Sequence, residues 1–434
     1  MPGWIIITII FSAMFLLLLL GMPMAFSMLI SAFLGFLLLE QVSAIIMCCA
    51  TSFHDLLASY TLSVAFLFIL VGEIAACTGL AEKAYDSLQK IIGNLPGGLI
   101  LVTILACGLF GACSGSTVAS SAVFAKISGP PMKKLNYNEG FSLAAVATAG
   151  GLAAIIPPSI MIVFYGMLTG VSVGATLIAG VLPGIILTLF LSGYVYFKVL
   201  LSPSLAPKGL FIKSTTKDKI YATIEMWPIL LIFVTIIGGI YLGIFTPTES
   251  GAIGSLIILI YAFSVKTKFK SIVIAFRNTV ATSAQIFIII VSGMILAKVV
   301  VMSGVTQEAI EFIQKANLNI YGLWIITILV FIILGMVLDP VSMLVLTLPF
   351  FFPILTQFGV DKLAFGIITM VLVQIAVITP PIGFNVYVVA SAAGIDPSKV
   401  FFRIGPFFIL LLAFIFLLIT CPAICYWLPN FIFR

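Results

Sequence analysis

Long apolar runs separated by short polar breaks fill almost the whole chain. Residues 4–20, 171–197 and 404–420, for example, contain no Asp, Glu, Lys or Arg. A helix that crosses the hydrocarbon core of a bilayer needs about 20 apolar residues, whereas a transmembrane β-barrel shows alternating segments of about 10 residues. The pattern therefore predicts an all-α polytopic membrane protein, with room for about ten crossings.

The composition supports the same class and excludes several functions. Of the 434 residues, 62% are hydrophobic and 8% are charged, whereas a soluble domain carries about 25% charged residues. This excludes a soluble or a disordered chain. In a membrane protein the positive charges behind the net charge of +6 indicate which loops face the cytoplasm. We therefore expect no nucleic-acid partner. The sequence has no Walker lysine motif, so we expect neither ATP nor an organic cofactor.

Zinc binding and signal-peptide cleavage are not indicated either. The seven cysteines lie in apolar stretches and His54 is the only histidine, so no zinc-type ligand set is available and buried free thiols are expected. The first 21 residues lack a basic start and a small-residue cleavage site. They therefore predict a retained first helix.

The chain contains an internal repeat. A shift of about 224 residues aligns four short motifs, rich in glycine, proline and polar residues, in the same order. Few of the aligned residues are identical. The aligned pairs are 21–24 with 245–248, 78–90 with 303–315, 110–111 with 334–335, and 156–158 with 379–381. The recurrence predicts a first repeat over 1–200, a basic cytoplasmic linker over 201–224 and a second repeat over 225–434.

The positive charges predict that the two repeats have opposite orientations. The stretch 198–219 holds five lysines and 266–277 holds four positive charges, so both stretches should face the cytoplasm. All other Lys and Arg then lie inside as well, except Lys298, Lys315, Lys362 and Arg434. Both termini are predicted to be periplasmic. Inverted repeats are typical of secondary transporters, which bind substrate near the middle of the membrane at broken helices.

Each repeat is predicted to contain a re-entrant helical hairpin. In the first hairpin, 97–128, apolar arms at 99–112 and 118–127 flank the polar tip CSGST at 113–117. An arm of that length reaches about 21 Å, which is short of a hydrocarbon core of about 30 Å. The second hairpin, 322–356, has its tip DPVS at 339–342. Both tips should therefore stop inside the membrane.

A proline-broken helix follows each hairpin, over 139–169 and 363–391. The breaks fall at Pro157-Pro158-Ser159 and at Thr379-Pro380-Pro381. Paired prolines remove two N–H donors and free the carbonyl groups one turn earlier. Such backbone is tolerated in a bilayer only where it packs inside protein or lines a wet cavity.

Hydroxyl and carbonyl oxygens at the tips and breaks indicate a sodium site in each half. Ser114, Ser116 and Thr117 supply hydroxyl groups beside the carbonyls near 155–156, and Asp339 and Thr379 supply a similar set beside Ile378. A low-charge, all-oxygen site favours Na⁺, because Ca²⁺ calls for several carboxylates. The alternative is that these side chains only cap helix ends. For Asp339, a carboxylate at membrane depth, we favour a functional role.

Several motifs together resemble the large membrane subunit of TRAP (tripartite ATP-independent periplasmic) transporters. They are GACSGSTVA at 111–119, IPPS at 156–159, FTPTESGA at 245–252, and LDP at 338–340 followed by LP at 348–349 and PI at 353–354. The resemblance covers essentially the whole chain. It implies a Na⁺-driven elevator-type importer of organic acids in the bacterial inner membrane. It also implies two protein partners, a periplasmic substrate-binding protein and a small four-helix membrane subunit, here expected as a separate chain.

The resemblance also implies site residues. The implied sodium ligands are Ser114, Ser116, Ile156 and Pro158 in one half, and Asp339, Thr379 and Ile382 in the other, with Ile156, Pro158 and Ile382 acting through backbone oxygens. The candidate substrate-binding residues are Gly115, Thr117, Ser159, Ser342, Pro381 and Asn385. No arginine lies in either hairpin or break, so an anionic substrate would rely on N–H groups, helix N-termini and bound Na⁺.

The sequence leaves alternatives open for the substrate and for the transport mechanism. C4-dicarboxylates, sialic acid and other sugar acids all remain open as substrates. A stand-alone divalent-anion/Na⁺ symporter is the main alternative, and a channel or an intramembrane enzyme is less favoured. Glu73 and Glu249 lie in or beside apolar spans, where each could relay protons or, as we favour, form a structural hydrogen bond.

The charge distribution gives a testable orientation. A cysteine introduced by Pro2→Cys should react with an impermeant maleimide in whole cells, because the first residues are predicted to be periplasmic. The unsubstituted chain, with its seven native cysteines, measures background labelling. Protection of the new thiol until the cells are lysed would reverse the predicted topology.

Overall fold

The computed structural model describes residues 2–207, 215–316 and 318–432, and within them the chain forms helices and no strands. The helices of the first half are α1 Gly3–Leu19, α2 Met24–Leu38, α3 Ala44–Leu57, α4 Tyr60–Cys77, α5 Leu80–Ile92, α6 Gly98–Ser114, α7 Thr117–Lys134, α8 Glu139–Gly150, α9 Ile160–Thr169 and α10 Val173–Leu201. Those that follow are α11 Thr216–Glu225, α12 Trp227–Phe233, α13 Gly239–Tyr241, α14 Pro247–Ser264, α15 Phe269–Met302, α16 Val305–Lys315, α17 Ile320–Gly335, α18 Pro340–Gln357, α19 Lys362–Ala376, α20 Phe384–Ala393, α21 Pro397–Thr420 and α22 Ala423–Ile432.

The all-α membrane fold predicted from the sequence is confirmed. Within the described ranges, six helices are long and apolar enough to cross a membrane, namely α4, α10, α14, α15, α18 and α21. A seventh span forms if α11 and α12–α13, which are bent by 43°, count as one. The other apolar helices have 10–17 residues, which is at or below the lower limit for crossing a bilayer. Glycine, serine and proline therefore divide the apolar runs into more and shorter helices than the ten crossings expected from the sequence.

The order of helices in the first half recurs in the second. Helices α16 to α21 begin 222 to 225 residues after α5 to α10, in the same sequence. The halves also interlock, since α2 packs against α15 while α14 packs against α4. Likewise α7 packs against α20, and α18 packs against α9. This exchange supports the predicted duplication, and the opposite membrane orientation of the halves stays a prediction.

Two helix pairs lie where the hairpins were predicted. Helices α6 and α7 are joined at Gly115-Ser116, and α17 and α18 are joined at 336–339. The bounds differ in two ways from the sequence-based ones. Helix α7 continues through Pro130 and Pro131 to Lys134, and α18 already begins at Pro340, so Ser342 lies in its first turn. Proline at the first helical position needs no N–H partner, which favours that early start.

Helices α8 and α19, which precede the proline breaks, form the centre of the protein. Every residue of α8 after Glu139 is buried, and so is every residue of α19 from Ala364 onward. Helix α8 packs against α6, α7 and α21, while α19 packs against α17, α10 and α21. The first break is therefore buried from Pro157 to Ser159, as irregular backbone in a membrane requires, whereas residues 380–382 of the second break are exposed.

Part of the predicted linker is helical. Of the stretch 201–224, residues 208–214 lie outside the described residues, and Thr216–Glu225 form α11. The Thr215 hydroxyl accepts from the Asp218 N–H, and the Asp218 carboxylate accepts from the Thr215 hydroxyl and N–H, which is a capping box. Those bonds from Thr215 lower the pKa of Asp218. Glu225 also lies 3.6 Å from the Lys90 Nζ, so α11 is joined to α5.

Candidate functional site

Both hairpin tips border one cavity of about 780 Å³, here called the central cavity. Its other wall is formed by the start of α2, the end of α4 and the middle of α15. The lining residues are 23–26, Ile69, Gly72, Glu73, 114–119, Ala122, Ile160, Met161, Thr282, Gln285, Ile286, Ile288, Ile289, 339–341 and Phe384. The cavity is large enough for a small organic molecule, since ligand pockets commonly measure about 300–1,000 Å³.

The first tip is held by capping and by contact with the first break. The Ser116 hydroxyl accepts from the Ala119 N–H at 3.3 Å, and the Ser114 and Ser120 hydroxyls are 2.9 Å apart. Gly115 has a φ of +57°, and a Cβ at this position would lie 2.8 Å from the Pro158 carbonyl oxygen. Only glycine therefore fits there. This contact places Gly115, between Ser114 and Ser116, against the backbone of Pro158, and the ion site predicted there stays a prediction.

The second tip carries the carboxylate of Asp339. Its Oδ1 accepts from the N–H groups of Val341 at 3.0 Å and Ser342 at 3.1 Å, and its Oδ2 accepts from the Ser342 hydroxyl. Asp339 therefore caps α18, as Ser116 caps α7. A carboxylate offers about four acceptor positions. Capping is thus compatible with a further ligand at Asp339, which lines the central cavity.

The two breaks use their hydroxyl groups locally. The Ser159 hydroxyl donates to the Ala154 carbonyl at 2.7 Å and accepts from the Ile162 N–H. The Thr379 hydroxyl donates to the Ile375 carbonyl at 2.7 Å. In both cases the oxygen keeps acceptor capacity. The peptide bonds Pro157-Pro158 and Pro380-Pro381 are both cis.

Five of the predicted site residues line the cavity wall and the other eight do not, and among those eight Pro381 and Ile382 are exposed. Gly115, Thr117, Ser114, Ser116 and Asp339 line the central cavity. The other candidates do not line it, and these are Ile156, Pro158, Ser159, Ser342, Thr379, Pro381, Ile382 and Asn385.

Among the interior candidates, Asn385 is fully buried and donates to the Ala147 carbonyl at 3.3 Å. This bond joins α20 to α8. The Ser342 hydroxyl is occupied by Asp339. These two side chains hold the frame around the tips.

On the opposite wall of the cavity, the sequence indicated Glu73 but not the polar residues of α15. Thr282 and Gln285 on α15 line it, and Glu73 lies beside them with its Oε2 accepting from the Asn278 Nδ2 at 3.1 Å. The signal was a polar face, N278–T282–Q285, inside an otherwise apolar span. Glu249, the other acidic candidate, forms a capping box with Thr246 at the start of α14, so it makes a structural hydrogen bond within its own helix.

Comparisons with known proteins identify a family model and relatives that the sequence matches. The model of the "Tripartite ATP-independent periplasmic transporter, DctM component" matches residues 11–424. The chain is 31% identical over 379 residues to the C4-dicarboxylate TRAP transporter large permease protein DctM of Pseudomonas aeruginosa, covering 86% of this chain and 87% of that protein. It is 30% identical over 437 residues to the ectoine TRAP transporter large permease protein TeaC of Halomonas elongata, covering 98% and 100%.

A solved structure shares the fold at low identity. The YdaH transporter of Alcanivorax borkumensis superposes with a TM-score of 0.62 at 14% sequence identity, covering 88% of this chain and 89% of that chain. This similarity concerns the fold alone.

The close contact between α4 and the first tip gives a testable prediction. A Cβ added at Gly72 would lie 2.6 Å from the Ser114 carbonyl oxygen and 2.9 Å from its Cα, and this backbone cannot rotate away. Gly72→Ala should therefore destabilise the protein by about 1–3 kcal/mol. Thermal unfolding of the purified protein measures the change.

A glycine with open space around it provides the control. A Cβ at Gly193 in α10 meets nothing within 4 Å. Gly193→Ala should be neutral or slightly stabilising, because alanine is the better helix former. An unfolding midpoint for Gly72→Ala equal to that of Gly193→Ala would show that the first tip shifts to accommodate the methyl group, and would contradict the prediction.

Proposed function

The chain belongs to the DctM family of TRAP transporters, and from this premise we propose that it imports an organic acid across the bacterial inner membrane, driven by a Na⁺ gradient. The protein is a multi-pass membrane transporter permease and not an enzyme. Permeases of this family work with a substrate-binding protein and a small permease. We propose that both partners of this chain are separate proteins, and that both of its termini are periplasmic.

The observation that carries the proposal is the meeting of both hairpin tips at the central cavity. Ser116 and Asp339 cap equivalent helices on its wall. One set of oxygens includes the tip hydroxyls beside the Pro158 carbonyl, and the other includes the Asp339 carboxylate. Sets of this kind, low in charge and made of oxygen, suit Na⁺. Neither ATP nor an organic cofactor is needed for transport of this type.

The cavity also supports an organic substrate. Its volume of about 780 Å³ accommodates a dicarboxylate, a sialic acid or a related sugar acid. The N-terminus of α7 opens onto it, and helix N-termini bind carboxylates through free N–H groups and the helix dipole. The relatives named above transport C4-dicarboxylates and ectoine by their names. Substrates of this size class are the ones we propose here.

The packing supports an elevator-type movement of the hairpins against α4 and α15. The first tip touches α4 at Gly72, and the second arm of the other hairpin touches α15 at Gly293, where a Cβ would meet the Val345 side chain. Contacts made through glycine leave smooth surfaces with few interlocking side chains. We propose that the hairpins and broken helices move together along these surfaces.

Uptake should require a Na⁺ gradient and no ATP. The complete transporter, reconstituted in liposomes with its binding protein, should accumulate substrate when Na⁺ is high outside. Replacing Na⁺ by K⁺ on both sides, with a proton gradient imposed, should abolish accumulation. Undiminished uptake under those conditions would contradict the proposal.

Asp339→Asn should weaken Na⁺ binding and leave the fold intact. The change removes a charge-assisted ligand, which should cost about 1–3 kcal/mol, or roughly 5- to 150-fold in affinity. Asparagine caps helices about as well as aspartate, so membrane insertion should survive. The measurement is the Na⁺ concentration that gives half-maximal uptake, at matched protein levels.

Asp361 provides a matched control for that experiment. It caps α19 with bonds from the N–H groups of Leu363 at 2.9 Å and Ala364 at 3.0 Å, much as Asp339 caps α18, but it does not line the central cavity. Asp361→Asn should leave the half-maximal Na⁺ concentration unchanged. Equal behaviour of the two variants would reduce Asp339 to a helix cap.

A further inference from the structure

The central cavity contains two carboxylates and no cationic side chain. Glu73 and Asp339 line it, whereas no Lys, Arg or His does. Arg277 directly precedes Asn278, the partner of Glu73, but it is not part of the lining. No ion pair joins Glu73 or Asp339 to a cation within the described ranges. The fixed side-chain charge of the wall is therefore negative, an unusual setting for a small dianion.

One part of the wall is nevertheless suited to a carboxylate. Thr117 is 1% exposed and lines the cavity, and its hydroxyl has no hydrogen-bond partner among the described residues. The N–H groups of Thr117 and Val118, in the first turn of α7, have no acceptor in the part of the chain that the structure describes. At α18 the first residue, Pro340, has no N–H group, and the N–H groups of Val341 and Ser342 are bonded to Asp339. The start of α2 also lines the cavity without a side-chain cap, so the α7 end is distinguished by the Thr117 hydroxyl beside its N–H groups.

Glu73 provides an acidic group close to that helix end. It follows Gly72, which contacts the backbone of Ser114 at the first tip. Its carboxylate is partly exposed and accepts one hydrogen bond, from Asn278. A carboxylate has about four acceptor positions, so Glu73, which lines the cavity, keeps capacity for a cationic group. The helix end and Glu73 together give the cavity one anion-binding and one cation-binding group.

We propose that the transported solute carries a carboxylate and a cationic nitrogen group, with the carboxylate at the N-terminus of α7 and the cationic group paired with Glu73. This rests on the proposed function, because two bound Na⁺ ions would offset the charges of Glu73 and Asp339. A zwitterion then leaves the loaded cavity neutral. A dianion would leave two uncompensated negative charges in a poorly solvated space, which is costly.

Binding of matched probes to the purified full-length chain in nanodiscs tests the proposal. The probes are 4-aminobutyrate and ectoine, which are zwitterions, and glutarate and succinate, which are dianions of similar size. Binding is measured in NaCl and in KCl. In NaCl the zwitterions should bind more tightly than the dianions. Equal or tighter binding of the dianions, or no binding of either zwitterion, would overturn the proposal.

Glu73→Gln isolates the charge, because glutamine can still accept the Asn278 hydrogen bond. Zwitterion binding should weaken roughly 10- to 150-fold, the range for loss of a charged hydrogen bond, while dianion binding should stay the same or improve. The control is Glu249→Gln, since glutamine also suits a capping box and Glu249 lies outside the cavity. It should change neither. An equal effect of Glu73→Gln on both probe classes would assign Glu73 a structural role only.

The two salts keep this inference separate from the proposed function. If binding is equal in NaCl and KCl, Na⁺ coupling fails whatever the charge preference is. If binding needs Na⁺ but favours dianions, the proposed function stands and the assignment of Glu73 fails.

Discussion

Backbone polar groups that leave a helix inside a membrane must find partners in the protein, because hydrocarbon offers none. This chain interrupts its helices at two hairpin tips and at two proline breaks, and each interruption is stabilised locally. Ser116, Asp339 and Ser159 cap the helices that follow, and Gly383 starts the fourth in a left-handed conformation. The oxygens and N–H groups left over from this capping are the ones available to an ion or a solute.

That constraint also bears on where the interruptions lie, since the first proline break is buried whereas the second is exposed at 380–382. Helices α8 and α19 are buried along almost their whole length, and each half packs its hairpin against a broken helix of the other half. The resulting cavity has one wall of helix ends and one wall of α4 and α15. On the second wall, Gly72 allows the first tip to approach, and Glu73 gives the cavity an acidic group. The hairpin tips, the acidic group and the surfaces of α4 and α15 therefore meet at one cavity.

Some polar residues of the apolar spans have a structural task. Glu249 stabilises the start of α14 together with Thr246, Lys298 donates to the Thr51 hydroxyl at 2.7 Å, and Asn385 joins α20 to α8. Capping boxes and interhelical bonds of this kind satisfy groups that the membrane cannot. Glu73 differs, because it lines the central cavity and its carboxylate accepts a hydrogen bond from Asn278 alone among the described residues.

The sequence by itself determined the membrane class, the helical fold, the family and the positions of the interruptions. The reason is that the length of an apolar segment and the helix-breaking effect of Gly, Ser and Pro are local properties of the chain. It also placed Ser116 and Asp339 at the two hairpin tips, since short polar stretches stand out between apolar arms. Only the tertiary structure decided which of these groups share a cavity, and that α4 and α15 form its other wall. The reason is that the residues of that wall lie far from the tips in sequence, and their role follows from packing between the halves.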